Sequence, residues 1–177
     1  FNERLKGNLP KAELHLRESL KHSTDNFSAA RELAAICAAR HNLDDAEYFA
    51  REARRHAPDN PFVLDTLISV LIRKHGLNAK YSAEIDSLFS SLEKVGEEGG
   101  RSFYNTRKAE FEYLWGDNKL ALRLIDQAVA KTPRIFDVHR LRAQILIKSG
   151  NFGEAWKEIS QLKEIVDLNQ NSERRAN

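Results

Sequence analysis

The chain has 177 residues, of which 41% are hydrophobic and 31% are charged, a balance that supports a folded core and excludes a disordered polymer. Its 28 basic and 26 acidic residues leave a net charge of +2, which does not indicate a nucleic-acid partner. A single cysteine excludes an internal disulfide, and no apolar run is long enough to span a membrane.

Good helix formers dominate the sequence, and glycine and proline fall mainly between apolar segments. Apolar residues recur at helical spacing, as in Leu64, Leu67, Ile68 and Leu71, or Ala121, Leu124, Ile125 and Ala128. We therefore predict no strand and a series of helices, in chain order at about 9–22, 27–41, 43–57, 60–75, 79–95, 101–115, 117–131, 135–149 and 152–167.

A short pattern recurs along the chain, in which a turn is followed by a helix start. Its copies are GNLPKA at 7–12, HNLDDA at 41–46, GDNKLA at 116–121 and GNFGEA at 150–155. Ala12 and Ala46 are 34 residues apart, as are Ala121 and Ala155, and Ala46 precedes Ala121 by 75, two periods plus seven. Two further pairs keep the offset of 75, Ala53 with Ala128 and Pro58 with Pro133. The chain is therefore internally repetitive.

A 34-residue period with small residues at helix crossings and a closing proline resembles the tetratricopeptide repeat. Two copies carry the pattern well, the second at Leu33, Ala34, Cys37, Ala46, Ala53 and Pro58, and the fifth at Ala143, Leu146, Gly150, Phe152, Ala155 and Ile159. The fourth copy departs from it, since Lys108 and Glu112 stand where apolar residues are expected. The resemblance implies an all-α fold, a right-handed superhelical α-solenoid of antiparallel helix pairs.

This register predicts one repeat domain over residues 1–177. It divides into a partial repeat at 1–26, repeats at about 27–60, 61–101, 102–135 and 136–169, and a tail at 170–177. The third repeat holds the seven extra residues, as a longer second helix and a glycine-rich loop at 96–100. Because methionine is absent and Phe1 falls in the middle of a helix, we expect both ends to be cut from a longer array.

In the tetratricopeptide family, the first helix of each repeat lines a concave groove that binds a peptide or a helix of a partner. The resemblance places these candidates in the groove: Arg31, Phe62, Asp65, Arg73, Phe103, Arg107, Tyr113, Arg140, Gln144 and Lys148. Their cations, partly offset by Glu32, Asp65 and Glu110, predict a positive groove that prefers an acidic segment with an apolar anchor near Phe103 or Tyr113. A clamp for a chaperone's C-terminal carboxylate is not expected, because Ala35 and Thr66 replace the two asparagines that it uses.

No residue pattern indicates a catalytic, cofactor or metal site. The six histidines lack ligand spacing on any one helix and are predicted to lie on the surface or at helix ends: His15, His22, His41, His56, His75 and His139. Residues 96–100 lack the Lys-Ser or Lys-Thr of a phosphate loop and are expected to cap a helix and connect it onward. Cys37 is predicted to be a small buried hydrophobe, and the basic run at 51–56 to be favourable charge at a helix end.

Two functions remain open at this point. The first is a protein-interaction module or scaffold, part of a larger protein, that binds a peptide or helix of a partner. The second is a regulatory or sensor domain of an enzyme whose catalytic domain lies outside this chain. We expect a cytoplasmic protein that is itself no enzyme, needs no cofactor and binds neither nucleic acid nor membrane, while its partner and oligomeric state stay undetermined.

Overall fold

The computed structural model describes residues 9–96 and 102–175, and every regular element in these two ranges is an α-helix. In chain order the helices are α1 (Leu9–His22), α2 (Phe27–Ala39), α3 (Leu43–His56), α4 (Pro61–His75), α5 (Ala79–Val95), α6 (Phe103–Trp115), α7 (Asn118–Lys131), α8 (Phe136–Lys148) and α9 (Phe152–Arg175). The predicted helices are thus confirmed for the described residues. The position of Phe1 within a helix lies outside them.

The recurring turn pattern has a local physical cause. Its first residue takes a left-handed conformation at His41 and Gly150, with φ of 60° and 75°. The backbone N–H of the next residue, Asn42 or Asn151, then donates to a carbonyl five residues earlier and closes the preceding helix. The same asparagine starts the new helix, since its side chain accepts a hydrogen bond from the N–H three residues on.

Other helices use similar caps. Side chains of Asn26, Asn60, Asn78 and Asp117 accept hydrogen bonds from backbone N–H groups of the first turns that follow them. Gly96 ends α5 with a φ of 71°, which confirms the predicted glycine cap there, and the rest of that loop lies outside the described residues.

The last helix is longer than predicted. We expected it to end near 167, but α9 continues to Arg175 and includes most of the expected tail at 170–177. Residues 167–175 contain neither glycine nor proline, so nothing in their backbone chemistry stops a helix.

The helices form two compact units, Phe1–Gly96 and Glu97–Asn177. Within the first, each helix from α1 to α4 packs against the one that follows it, and α2 also contacts α4. Within the second, each helix from α6 to α8 packs against the one that follows it, and α6 also contacts α8. Turns of two to four residues join these neighbours, so they run antiparallel, as in stacked helix pairs. The single domain over residues 1–177 stays a prediction.

Alanines occupy the centres of both units. Ala46, Ala53, Ala121, Ala128, Ala143 and Ala155 are all buried, as their recurrence at the repeat period predicts. Ala53 of α3 packs in one cluster with Ala30 of α2 and Val63 of α4. Ala121 and Ala128 of α7 pack in another, with buried residues of α6 and α8. A methyl group at these positions allows the helix backbones to approach closely.

Candidate functional site

The predicted groove residues all lie on the first helices of the pairs, α2 and α4 in the first unit and α6 and α8 in the second. In the first unit, Arg31 of α2 and Phe62 of α4 come together, with the guanidinium carbon 5.9 Å from the ring centroid. Arg31 also pairs with its neighbour Glu32, which balances its charge. Asp65 and Arg73 are half-buried on α4, and both are engaged in further interactions.

In the second unit, one face of α8 carries Arg140, Gln144 and Lys148 at intervals of four residues. Arg140 Nη1 donates to Gln144 Oε1 at 3.2 Å, and Arg140 Nε lies 3.4 Å from Asp137 Oδ1. Lys148 reaches α6, where its Nζ lies 4.8 Å from the Tyr113 ring centroid and donates to the Tyr113 carbonyl oxygen. We call Tyr113, Arg140, Gln144 and Lys148 the α8–Tyr113 surface.

Two other candidates on α6 are placed differently. Phe103 is only 5% exposed and belongs to the interior of its unit, so its ring is not presented to a partner. Arg107 and Glu110 form an ion pair three residues apart, and both side chains are nearly buried. Their charges therefore cancel locally, and of the three groove candidates on α6 only Tyr113 is left to contact a partner.

Sequence reasoning missed a polar cluster that joins α3, α4 and α5. The mostly buried carboxylate of Glu47 accepts hydrogen bonds from Lys74 Nζ at 2.8 Å, Arg51 Nε at 2.8 Å and His75 Nε2 at 2.9 Å. Arg51 also binds Glu84 of α5 through two bonds of 2.7 and 3.0 Å. Burial alone would raise the pKa of Glu47, but the hydrogen bonds from Lys74, Arg51 and His75 lower it to about 2.

A second missed cluster lies in the interior of α8 and α9. His139 is only 3% exposed, so it does not lie on the surface, although it does lie in the first turn of α8, near a helix end as the alternative prediction has it. Its Nδ1 lies 2.7 Å from Glu158 Oε2 and its Nε2 lies 2.9 Å from the Pro133 carbonyl oxygen. The other Glu158 oxygen pairs with Arg142, which also binds Asp126 of α7. These partners satisfy polar groups that burial would otherwise penalise.

A sequence signal for the second cluster did exist. Ala155, Glu158 and Leu162 are spaced as one face of α9, and that face packs against α8. A carboxylate within this otherwise apolar period indicates a buried partner. For Glu47 only the partner four residues on, Arg51, was visible in the sequence, because Lys74 and His75 lie 27 and 28 residues away on α4.

The chemistry of these clusters is that of fixed ion pairs. Over residues 9–96 and 102–175, no three His, Cys, Asp or Glu side chains come together in a way that could hold a metal ion. Cys37 is buried, as predicted, and burial raises the pKa of its thiol and so keeps it protonated. Within the same residues, none of the helices combines the length and apolar character of a membrane span.

The helices stack as antiparallel pairs, and within each unit the first helices of the pairs contact one another and carry polar side chains in a row. This arrangement defines a helical repeat protein of the interaction-module class. The sequence matches the tetratricopeptide repeat family over residues 6–61 and 116–165, which is more than half of its length. The chain therefore belongs to the tetratricopeptide repeat family.

Solved structures have the same fold. A thermophilic tetratricopeptide repeat protein of Thermus thermophilus superposes with a TM-score of 0.72 at 16% identity, over 96% of this chain and 89% of its own. PilW, a type IV pilus biogenesis factor, superposes with a TM-score of 0.65 at 17% identity, over 94% of this chain and 74% of its own. For a tetratricopeptide repeat protein of Parabacteroides merdae the TM-score is 0.63 at 17% identity, over 98% of this chain and 70% of its own. No curated protein matches the chain significantly in sequence.

Proposed function

We propose that the chain is a protein-interaction module, and that its second unit binds a segment of a partner protein at the α8–Tyr113 surface. The observation that carries this proposal is the row of Arg140, Gln144 and Lys148 beside the half-buried Tyr113 ring. Family membership supports it, because helical repeat arrays use extended surfaces of first helices for binding.

Each side chain of this surface has a chemical use. Arg140 and Lys148 donate hydrogen bonds to carboxylates, and the Gln144 amide both donates to and accepts from an extended backbone. The Tyr113 ring offers an apolar face to an anchor side chain. A partner carboxylate competes with Asp137 for Arg140, so charge contributes more to selectivity than to affinity.

The alternative function concerns what the chain is joined to. As a regulatory or sensor domain of an enzyme, it would use the same surface to bind a segment of that enzyme or of its regulator. In both cases the chain itself is a binding partner and not a catalyst.

The test measures binding of the chain to an array of 12-residue peptides in which an aromatic or aliphatic anchor is flanked by Asp and Glu. The double substitution Arg140→Glu and Lys148→Glu should abolish the preference for acidic peptides. Arg107 is unsuitable for this test, because its replacement would leave Glu110 buried without its ion-pair partner.

A matched control reverses the charge of two exposed residues on α7, the second helix of its pair, through Lys119→Glu and Arg123→Glu. It makes the same change in net charge, and should leave peptide binding unchanged. Far-UV circular dichroism and the melting temperature of both variants show that they fold. Equal loss of binding in the two variants would mean that overall charge, and not the α8–Tyr113 surface, selects the peptide.

A further inference from the structure

The two cations of the α8–Tyr113 surface are separated by a defined length of helix. Arg140 and Lys148 lie eight residues apart on α8, which is about 12 Å along the helix axis at about 1.5 Å per residue. Gln144 lies midway, about one helical turn from each of them. A partner that binds both cations at once must therefore present two carboxylates at about this separation.

Contacts within the second unit restrict both charged groups. Lys148 Nζ donates to the Tyr113 carbonyl oxygen and lies 4.8 Å from the Tyr113 ring centroid, which ties it to α6. Arg140 donates through Nη1 to Gln144 at 3.2 Å, and its Nε lies 3.4 Å from Asp137 Oδ1. These contacts leave the second terminal nitrogen of the guanidinium, Nη2, for a partner carboxylate. Because restrained side chains lose less entropy on binding, their separation can select between partners.

This surface differs from the faces by which repeats stack. The repeat offsets of 75 and then 34 residues place Arg31, Ala35 and Ala39 of α2 at the positions that carry the row on α8. Helix α2 has α1, α3 and α4 packed against it. The Arg31 side chain is nevertheless 24% exposed, Ala35 is half-buried and Ala39 is exposed. Positions of this kind therefore stay accessible when the helices of the neighbouring pairs are in place.

The backbone conformation of the partner decides which of its residues match this separation. An extended chain rises about 3.3 Å per residue and alternate side chains face the same side, so residues i and i+4 are about 13 Å apart on one side. Residues i and i+2 are only about 7 Å apart. In a helical partner, residues i and i+4 are about 6 Å apart and residues i and i+7 about 10 Å. The extended i, i+4 pair fits the 12 Å separation best.

Gln144 also favours an extended partner. Its exposed amide group both donates and accepts hydrogen bonds, and it lies where residue i+2 of the partner would pass. An extended chain offers the N–H and C=O groups of that residue, whereas a helix already uses them for its own hydrogen bonds.

We propose that the α8–Tyr113 surface selects an extended segment with acidic residues at positions i and i+4, one bound by Arg140 and the other by Lys148. The inference rests on the proposed function, to which it adds the spacing of the acidic residues and the backbone conformation of the partner. Charge complementarity at two defined places argues for this occupant. Ion pairs at a partly exposed surface are weak, so the second, correctly spaced acidic residue should strengthen binding only about 2- to 5-fold.

Peptides of equal composition test the spacing. Fluorescence anisotropy compares 12-residue peptides that share one apolar anchor and carry two glutamates at i and i+2, at i and i+4, or at i and i+7. The i, i+4 peptide should bind about 2- to 5-fold more tightly than the other two. Proline at i+1 of that peptide, which disfavours a helix and suits an extended chain, should preserve its binding. Equal affinity for the three spacings, a preference for i and i+7, or loss of binding with proline would overturn the proposal.

Double-mutant cycles assign each acidic residue to its cation. Replacement of one glutamate by glutamine should be non-additive with Arg140→Gln only, and replacement of the other with Lys148→Gln only. Lys119→Gln, at an exposed position of α7, is the matched control and should be additive with both. Circular dichroism and the melting temperature check that the three variants fold. Additivity in every cycle would show that the two cations do not contact the acidic residues, and would overturn the proposal.

Failure of this inference and failure of the proposed function give different results. If no acidic peptide binds, or if binding survives the combination of Arg140→Glu and Lys148→Glu, both proposals are wrong. If that combination abolishes binding but the wild type binds all three spacings equally, the α8–Tyr113 surface remains the binding site and only the spacing is wrong.

Discussion

Glu47 shows how much one side chain can contribute to a helical repeat. It is the common acceptor for three basic side chains of two helices, and Arg51 extends the cluster to a third helix. An isolated exposed ion pair contributes little to stability, but a shared, mostly buried acceptor with fixed donors contributes more. The lowered pKa of Glu47 means that the folded state binds the ionised carboxylate better than the protonated form.

Acid should therefore weaken the first unit through Glu47. Its pKa falls from 4.5 to about 2 on folding, so its contribution is complete above about pH 4.5 and is lost as the pH falls to about 2. After allowance for solvent screening, that contribution is roughly 1–3 kcal/mol. Urea unfolding of Glu47→Gln should show a free energy of unfolding lower by this amount at pH 7.

The difference between the two proteins should shrink as the pH falls from 4.5 toward 2. Glu18→Gln is the matched control, because Glu18 pairs with Lys21 at an exposed position of α1. It should change stability by less than about 0.5 kcal/mol at any pH. A constant difference for Glu47→Gln across the range would contradict the assigned role of its charge.

Single residues also show where sequence reasoning succeeds and where it does not. The buried alanines were predicted because a small side chain at a fixed period has one simple explanation, a helix crossing. The burial of His139 was not predicted, because its partner, Glu158, lies 19 residues away on another helix. The apolar spacing around Glu158 indicates that this carboxylate is buried, but which side chain it meets depends on packing that the sequence spacing does not reveal.

At the scale of elements, the helix starts were predictable because they are chemically local. Asn42 and Asn151 mark the turn and cap the next helix within three residues, so the sequence contains the whole arrangement. The end of α9 was not predictable from the repeat period. The period indicates where a following helix could start, but it contains no residue that would end α9. The absence of glycine and proline over 167–175 was the better guide.

The helix crossings give a prediction at this scale. Replacing Ala121 of α7 by Leu should destabilise the second unit by about 1–3 kcal/mol, because the larger side chain forces the packed helices apart. Ala46→Leu should do the same in the first unit, where Ala46 is fully buried. Thermal unfolding followed by circular dichroism measures both changes.

Ala130→Leu is the matched control for Ala121→Leu, since Ala130 is exposed on the same helix. It should leave the melting temperature nearly unchanged. If Ala46→Leu and Ala121→Leu were equally neutral, the repeat register that places these alanines at crossings would be wrong.

For the whole molecule, charge is balanced in total and uneven in detail. The sequence predicted a positive groove from Arg31, Arg73, Arg107, Arg140 and Lys148, whose identity and spacing it contains. The partial offset by Glu32 and Glu110 was also expected from the sequence, and the structure adds which cation each one pairs with, Arg31 with Glu32 and Arg107 with Glu110. In the second unit, the positive charge offered to a partner therefore comes from Arg140 and Lys148 of the α8–Tyr113 surface.

Salt should reveal this local charge when a partner binds. Because the chain carries a net charge of only +2, it has little long-range attraction for an acidic peptide, and a salt effect must come from the cations near the bound segment. At 0.1 M salt the screening length is about 10 Å, comparable with the extent of the α8–Tyr113 surface. We expect the affinity for an acidic, anchor-bearing peptide to fall about 3- to 10-fold from 50 to 500 mM NaCl, mainly through a slower association rate.

Stopped-flow binding measures the association and dissociation rates of the wild type and of the variant with Arg140→Glu and Lys148→Glu. The variant should bind the peptide weakly at 50 mM and lose its dependence on salt, whereas the control with Lys119→Glu and Arg123→Glu should behave as the wild type. A wild-type association rate that is independent of salt would show that Arg140 and Lys148 do not guide the partner.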